Sequence, residues 1–144
     1  MMLVRTYVAA SPIEGLGVFA DEFIPAGTLI WQFNPKFVVS FSVSEIEALP
    51  AHTKEYVYRY AFPHLGLGEG NMVLELDNGK YMNHSGAPNT DFTVFEHGYT
   101  IRDIHAGEEV TCNYYEFDPS FRGEFVPTTT YTPKAGNGLH IGQN

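Results

Sequence analysis

A mainly β fold with short helices is what this chain predicts, and three observations carry that expectation. The strand-like runs are short and are closed every few residues by Pro or Gly, as in a meander of small sheets. Helix-start signals gather in one stretch, between Ser42 and Tyr60. With 144 residues, 44% hydrophobic and 15% aromatic, the chain can bury one core of useful size and reads as a single domain.

Strands are expected from Leu3 to Ala9, Gly15 to Ala20, Thr28 to Phe33 and Lys36 to Ser40, with Pro12, Gly15, Pro25, Gly27 and Pro35 as punctuation. Ser42-Val43-Ser44-Glu45-Ile46-Glu47 then offers two overlapping capping boxes, Ser42 with Glu45 or Ser44 with Glu47, for a short helix that Pro50 stops. A second helical piece fits Ala51 to Tyr60. Its Tyr56, Tyr58 and Tyr60 are mixed in phase, so an irregular or strand-like reading stands beside the helical one. After a Gly66 to Asn71 loop, Met72 to Leu76 alternates as a strand ending in the Asp77-Asn78-Gly79 turn. Asp91 to Phe95 and Tyr99 to Ile104 read as a hairpin around His97-Gly98, and Glu109 to Tyr114 as a final strand. Beyond Phe117 the signal weakens, and residues 126–144, rich in Thr, Gly and Pro, read either as a disordered tail or as an arm over the site. No internal repeat is apparent.

Charge and cysteine content narrow the function classes. Eight Lys and Arg against seventeen Asp and Glu give a net charge of −9, which repels phosphate backbones and favours a basic protein or peptide over nucleic acid. The same imbalance also serves solubility alone. A single cysteine, Cys112, excludes an internal disulfide and a cysteine zinc cluster. The remaining histidines lack ligand spacing, so no metal is expected. No apolar run approaches the roughly 20 residues of a membrane span, and the start lacks a secretory pattern, so the expected location is cytoplasmic, or nuclear or chromatin-associated in a eukaryotic or viral setting.

Three segments stand out chemically. Gly15-Leu16-Gly17-Val18-Phe19-Ala20 formally satisfies a dinucleotide fingerprint, but the strand before it and the helix after it are missing, which leaves a tight bend or a close backbone approach to a ligand. Asn83-His84-Ser85-Gly86-Ala87-Pro88-Asn89 and Gly107-Glu108-Glu109-Val110-Thr111-Cys112-Asn113-Tyr114 are polar motifs inside apolar, strand-like sequence. Such groups are costly to bury without partners. Taken singly, the first reads as a turn capped by Asn and Ser with a structural histidine, and the second as a turn entering a strand, with Glu108 a solvated charge.

Together, in this order and spacing, the three segments resemble the signature motifs of the SET-domain protein lysine methyltransferases. The resemblance covers about residues 3–117, with a weakly matching insert at about 42–71. It implies a SET domain over 1–117, a C-terminal extension over 118–144, and a β-clip-like fold of small curved sheets with a C-terminal pseudoknot. It further implies S-adenosylmethionine as methyl donor, with S-adenosylhomocysteine as product, and a lysine in a basic protein or peptide, histone-like tails leading, as acceptor. Tyr114 is the implied catalytic residue. Gly15, Leu16, Gly17, Phe19, Asn83, His84 and Tyr114 are the implied cofactor site, and Phe92, Cys112, Tyr115 and Phe117 the implied substrate channel. Tyr115 would face away from Tyr114 if the strand persisted.

Departures from the family pattern are modest: Gln32-Phe33 for Glu-Tyr, Lys80-Tyr81-Met82 for Arg-Phe-Ile, Gly86 for a frequent Cys and Asn113 for Asp. The Cys-rich zinc segment that completes the lysine channel in many eukaryotic members is missing. Phe117, Phe121 and Phe125 are expected either to close the channel or simply to join the core, and a homodimer could supply the same wall. The competing classes are a catalytically silent SET-like domain that binds a partner, and a β-rich ligand-binding module.

Overall fold

The structure is a computed structural model that describes residues 1–68, 70–119 and 121. Its strands are β1 (Thr6–Ala10), β2 (Leu16–Ala20), β3 (Leu29–Gln32), β4 (Val38–Phe41), β5 (Phe62–Pro63), β6 (Met72–Glu75), β7 (Asn83–His84), β8 (Thr90–Asp91), β9 (His97–Thr100) and β10 (Glu109–Cys112). Two helices, α1 (Val43–Glu47) and α2 (Ala51–Tyr60), sit between β4 and β5. The strands form three small sheets, ordered β1-β2-β10-β7, β3-β9-β8 and β4-β6-β5, so the mainly β fold with short helices holds. Among the described residues no helix is long and apolar enough to cross a membrane.

The sheet that matters for the site has its last strand in the middle. β10 runs antiparallel to β2, with Val110 opposite Val18, and parallel to β7, with Thr111 opposite Asn83 and Cys112 opposite His84. That insertion of the final segment between two earlier ones is the arrangement a C-terminal pseudoknot requires. Val18, Ala20 and Val110 are fully buried and join Ile24, Ile30, Ile104, Trp31 and Met82 in one core. Burying each such aliphatic side chain stabilises the fold by about 1.5–3 kcal/mol.

The capping box at Ser42 is real: its hydroxyl accepts from the Glu45 amide while the Glu45 carboxylate accepts from the Ser42 amide. Glu47 does not cap but reaches α2, where it accepts from Lys54 Nζ at 2.7 Å and Tyr58 at 2.9 Å. The mixed-phase tyrosines are helical after all, since α2 spans Ala51–Tyr60.

Three expectations need correction. The hairpin does not turn at His97-Gly98, because those residues already belong to β9. The bend lies just before, where Glu96 takes a positive φ of 63° and His97 N donates to Val94 O. The last strand stops at Cys112, not Tyr114: the Asn113 side chain accepts from Tyr115 N and turns Tyr114–Glu116 into a 3-10 turn, so strand alternation no longer decides where Tyr115 points. A short repeat also went unread. Ile24-Pro25-Ala26-Gly27 and Ile104-His105-Ala106-Gly107 form equivalent turns, with glycine φ of 78° and 87°, and Ile24 and Ile104 exchange both backbone hydrogen bonds at 2.8 Å.

Candidate functional site

A cavity of about 700 Å³ opens between α2 and β5 on one side and residues 92–97 and the segment after β10 on the other. A small hollow of about 20 Å³ adjoins it, and Glu14, Arg59, Tyr60, Lys80 and Tyr114 line both. Tyr114 is thus one of five residues common to the hollow beside β7 and the aromatic cavity.

Hydrogen bonds at both its amide and its hydroxyl hold Tyr114. Its amide donates to His84 Nδ1 at 3.1 Å, and its hydroxyl donates to the Met82 carbonyl at 2.7 Å. Burial pushes the phenol far above its ordinary range, so it stays protonated. A phenol whose proton is given to a carbonyl still presents oxygen lone pairs to a donor. The His84 ring accepts at Nδ1, which places its own proton on Nε2, and burial lowers its pKa in favour of this neutral form. Its face is enclosed by Tyr114, Tyr115 and Phe121, with ring centroids 5.3, 5.8 and 4.8 Å away. His84 therefore builds the turn that carries Tyr114 and lines neither cavity.

Asn83 is 8% exposed, and its amide nitrogen lies 3.1 Å from Glu14 O, 3.0 Å from Leu16 O and 2.9 Å from Glu109 Oε1. It clamps the Gly15 bend onto β10 while still bordering the hollow. Glu109 is held from the other side by the Ser11 hydroxyl at 2.8 and 2.9 Å. This explains Gly17: a Cβ there would overlap the Glu109 carboxylate, so the close approach it permits is to the protein's own side chain. Gly15, with φ of 50°, lies under the Arg59 guanidinium, and a Cβ would come within 2.9 Å of Nη2. Asn89, 3% exposed, completes the frame, donating to Glu109 O at 2.7 Å and accepting from Thr111 N at 2.9 Å.

Leu16 borders the hollow, whereas Phe19 lines neither space and stacks on Tyr7 at 5.5 Å. Phe92, Cys112 and Phe117 all line the large cavity. Phe92 packs on Trp31 and Phe117, and its ring lies so close to Gly98 that no Cβ fits there. The Cys112 thiol is buried and pushed up by that burial, so it is not a thiolate. Tyr115 is 54% exposed and lies outside the cavity, against Phe121. Phe121 lines the cavity; Phe125 lies outside the described residues. Glu108 is the surface charge its motif suggested, paired with Arg102 and accepting from His105 N. Among the described residues no group of three His, Cys, Asp or Glu is placed to hold a metal ion.

Sequence reasoning missed the opposite wall, Arg59, Tyr60 and Phe62, together with Trp31. The only signal was the tyrosine-rich run of α2. It also missed Glu75, 2% exposed, whose carboxylate accepts from Trp31 Nε1 at 2.6 Å and from the Met1 α-amino group at 2.9 Å beside the cavity. Burial raises its pKa, and the ammonium opposes the rise.

Comparison with known proteins agrees with this geometry. The family model described as SET domain matches residues 15–115. A Plasmodium falciparum protein provisionally assigned as a histone methyltransferase is similar at 24% identity and a TM-score of 0.53, over 78% of this chain and 95% of that one. A humanized mutant of the Chaetomium thermophilum Polycomb Repressive Complex 2, bound to an inhibitor, is similar at 24% identity and a TM-score of 0.58, over 81% of this chain. Apo ctPRC2 with substitutions in Ezh2 is similar at 25% identity and a TM-score of 0.62, again over 81% of this chain. In these last two the match spans only 15% and 16% of the compared chain. Gly15 and Gly17, the Asn83-His84 strand and Tyr114 all fall within residues 15–115, and with most of the chain matched, this protein belongs to the SET-domain family.

Proposed function

We propose that this chain is a protein-lysine N-methyltransferase that uses S-adenosylmethionine and acts on a basic protein or peptide, histone-like tails being the leading substrate class. The observation that carries the reading is Tyr114, half-buried where the hollow and the aromatic cavity meet, with its proton committed to Met82 O. The hollow's side chains fit the amino-acid end of that donor, since a carboxylate, two cations and an amide from Glu14, Arg59, Lys80 and Asn83 border it. Bound there, S-adenosylmethionine supplies an electrophilic methyl group on a positively charged sulfur.

The rest falls to the chain's own residues. At an ordinary pKa of about 10.4, only about one lysine amine in 2,500 is neutral at pH 7, a deficit of about 4.6 kcal/mol. The aromatic surfaces of Phe92, Phe117, Trp31 and Phe62 exclude water and disfavour the ammonium form. The Tyr114 oxygen accepts from an amine N–H and so fixes the direction of its lone pair, and good alignment of reacting groups is worth roughly 7–11 kcal/mol. No side-chain base is required. The net charge of −9 supports a basic partner.

Incubation with labelled donor and a core-histone mixture, read by mass spectrometry, tests the reading. Wild-type protein is expected to label a lysine. If it binds S-adenosylhomocysteine yet labels no protein in that mixture or in a whole-proteome lysate, the enzymatic reading is wrong and a silent binding domain takes its place.

A further inference from the structure

We propose that Leu65, Val94 and Phe95 form an apolar rim that takes a bulky aliphatic or aromatic side chain of the substrate, two positions away from the acceptor lysine. The assignment rests on the lysine methyltransferase reading above and narrows its substrate to basic segments with a large apolar residue at that place. All three side chains line the aromatic cavity yet are 66%, 51% and 56% exposed. Single exposed apolar residues are ordinary, but several around one opening mark a surface that a partner covers. These three are contiguous. The Phe95 ring lies 5.4 Å from the His64 ring, and its Cζ stands 3.6 Å from the place of a Cβ on Gly66, so the turn carrying Leu65 meets the bend carrying Val94 and Phe95.

Two further features maintain this arrangement. His64, buried and stacked on Phe33 at 4.1 Å, donates from Nε2 to the Glu96 carboxylate at 3.1 Å, which ties the segment after β5 to the bend before β9. Glu96 itself has a φ of 63°, a left-handed conformation that a residue with a side chain adopts only where its surroundings impose it. The fold thus accepts local strain next to two side chains that it leaves in water. Covering them with an apolar group of the substrate recovers the stabilisation that folding alone leaves unused.

Chain geometry fixes which substrate residue arrives there. In an extended peptide successive side chains alternate, so the immediate neighbours of the lysine point away from the cavity. The residues two positions off point with it, about 6.6 Å along the chain, and face the wall around its mouth. A basic segment suits the same opening, because the carboxylates of Glu55 and Glu96 border it. The apolar side chain and the positive charge are therefore read by different residues of one rim.

A whole-proteome lysate incubated with labelled S-adenosylmethionine and wild-type protein, with the labelled lysines mapped by mass spectrometry, tests the rim. Large aliphatic or aromatic residues should be enriched about 3-fold or more at the second position before or after the lysine. Leu65→Ser and Phe95→Ser should each remove most of that enrichment, and calorimetric binding of S-adenosylhomocysteine reports that the variants are folded. Peptide copies of the labelled sites should lose about 10-fold in kcat/KM with wild type when the apolar residue becomes Ala, and less than about 3-fold with the double variant. Labelled sites without the enrichment, or an enrichment that both variants keep, overturn the rim and leave the methyltransferase reading standing. Loss of a dimer in the variants, read by sedimentation with site preference unchanged, overturns it too and gives the rim to a second copy of this chain. Absence of any labelled lysine overturns the methyltransferase reading itself.

Discussion

Along β2, β7 and β10 the cavity is backed by polar side chains that hold one another: Ser11 on Glu109, Glu109 on Asn83, Asn83 on the Gly15 bend, and Asn89 on β10. Along α2, β5 and residues 92–97 the wall is aromatic, joined by ring contacts such as Trp31 with Phe62 and Phe62 with Phe117, and its rim exposes Leu65 and Phe95 at 66% and 56%. A hydrogen-bonded network has one arrangement that satisfies it, whereas apolar contacts tolerate small shifts at small cost. Position is therefore built into the motif wall, and adaptability into the insert wall. Tyr114 belongs to both, with its hydroxyl on Met82 O and its ring against Phe117 and Phe121.

The sharpest way to break this contrast is Tyr114→Phe, which removes one hydroxyl and leaves the ring. Turnover should fall about 100-fold or more, the scale of losing one preorganised polar group, while the melting temperature moves by only a few degrees. Unchanged turnover in a steady-state assay would end the role given to Tyr114. Next comes Asn83→Ala, which strands the partly buried carbonyls of Glu14 and Leu16 and frees Glu109. We expect a loss of about 2–4 kcal/mol in urea denaturation; a loss under about 1 kcal/mol would mean that the motif wall is not a coupled network.

The third prediction concerns pH. His84 has a lowered pKa in the folded chain, so between that value and the ordinary 6.5 the unfolded chain binds the extra proton. Its part of the stability is therefore intact above the ordinary value, falls as pH drops below it, and is fully lost below the folded value. The difference in melting temperature between wild type and His84→Gln should shrink on acidification through that window; a constant difference would show that the ring's protonation does not matter. The smallest effect belongs to the insert rim, where Leu65→Ser should change stability by no more than about 0.5 kcal/mol. A loss of several kcal/mol there would erase the distinction between the walls.

The motif wall was largely legible in the sequence because its residue types are costly to bury without partners. Asn83, Glu109 and Asn89 each advertise a bonding obligation, and the glycines at 15 and 17 advertise a close approach. What sequence could not say is who meets whom. That Gly17 makes room for Glu109 depends on a pairing between residues far apart in the chain. The strand ending at Cys112 was readable in principle, since Asn113 is a turn-former, but the apolar-polar alternation running to Tyr114 masked it. The insert wall was hardly legible, because Arg59, Tyr60 and Phe62 follow only helix and strand propensity and carry no motif. The mild repeat around Ile24 and Ile104 escaped because its two copies share only Ile, Ala and Gly.

The placement of β10 sets an order of events during synthesis. Until Glu109–Cys112 have left the ribosome, β2 and β7 have no strand between them, so two unpaired edges wait while most of the domain has already been made. The contacts that join them link residues dozens of positions apart, the kind whose loop-closure cost slows folding. The site is thus assembled in a single late step, and Tyr114, two residues beyond that strand, arrives with the segment that completes it. Nascent chains arrested before residue 109 should be readily cut by protease, and those arrested well past Phe121 should resist. Resistance in the shorter chains would show that the frame forms without its central strand.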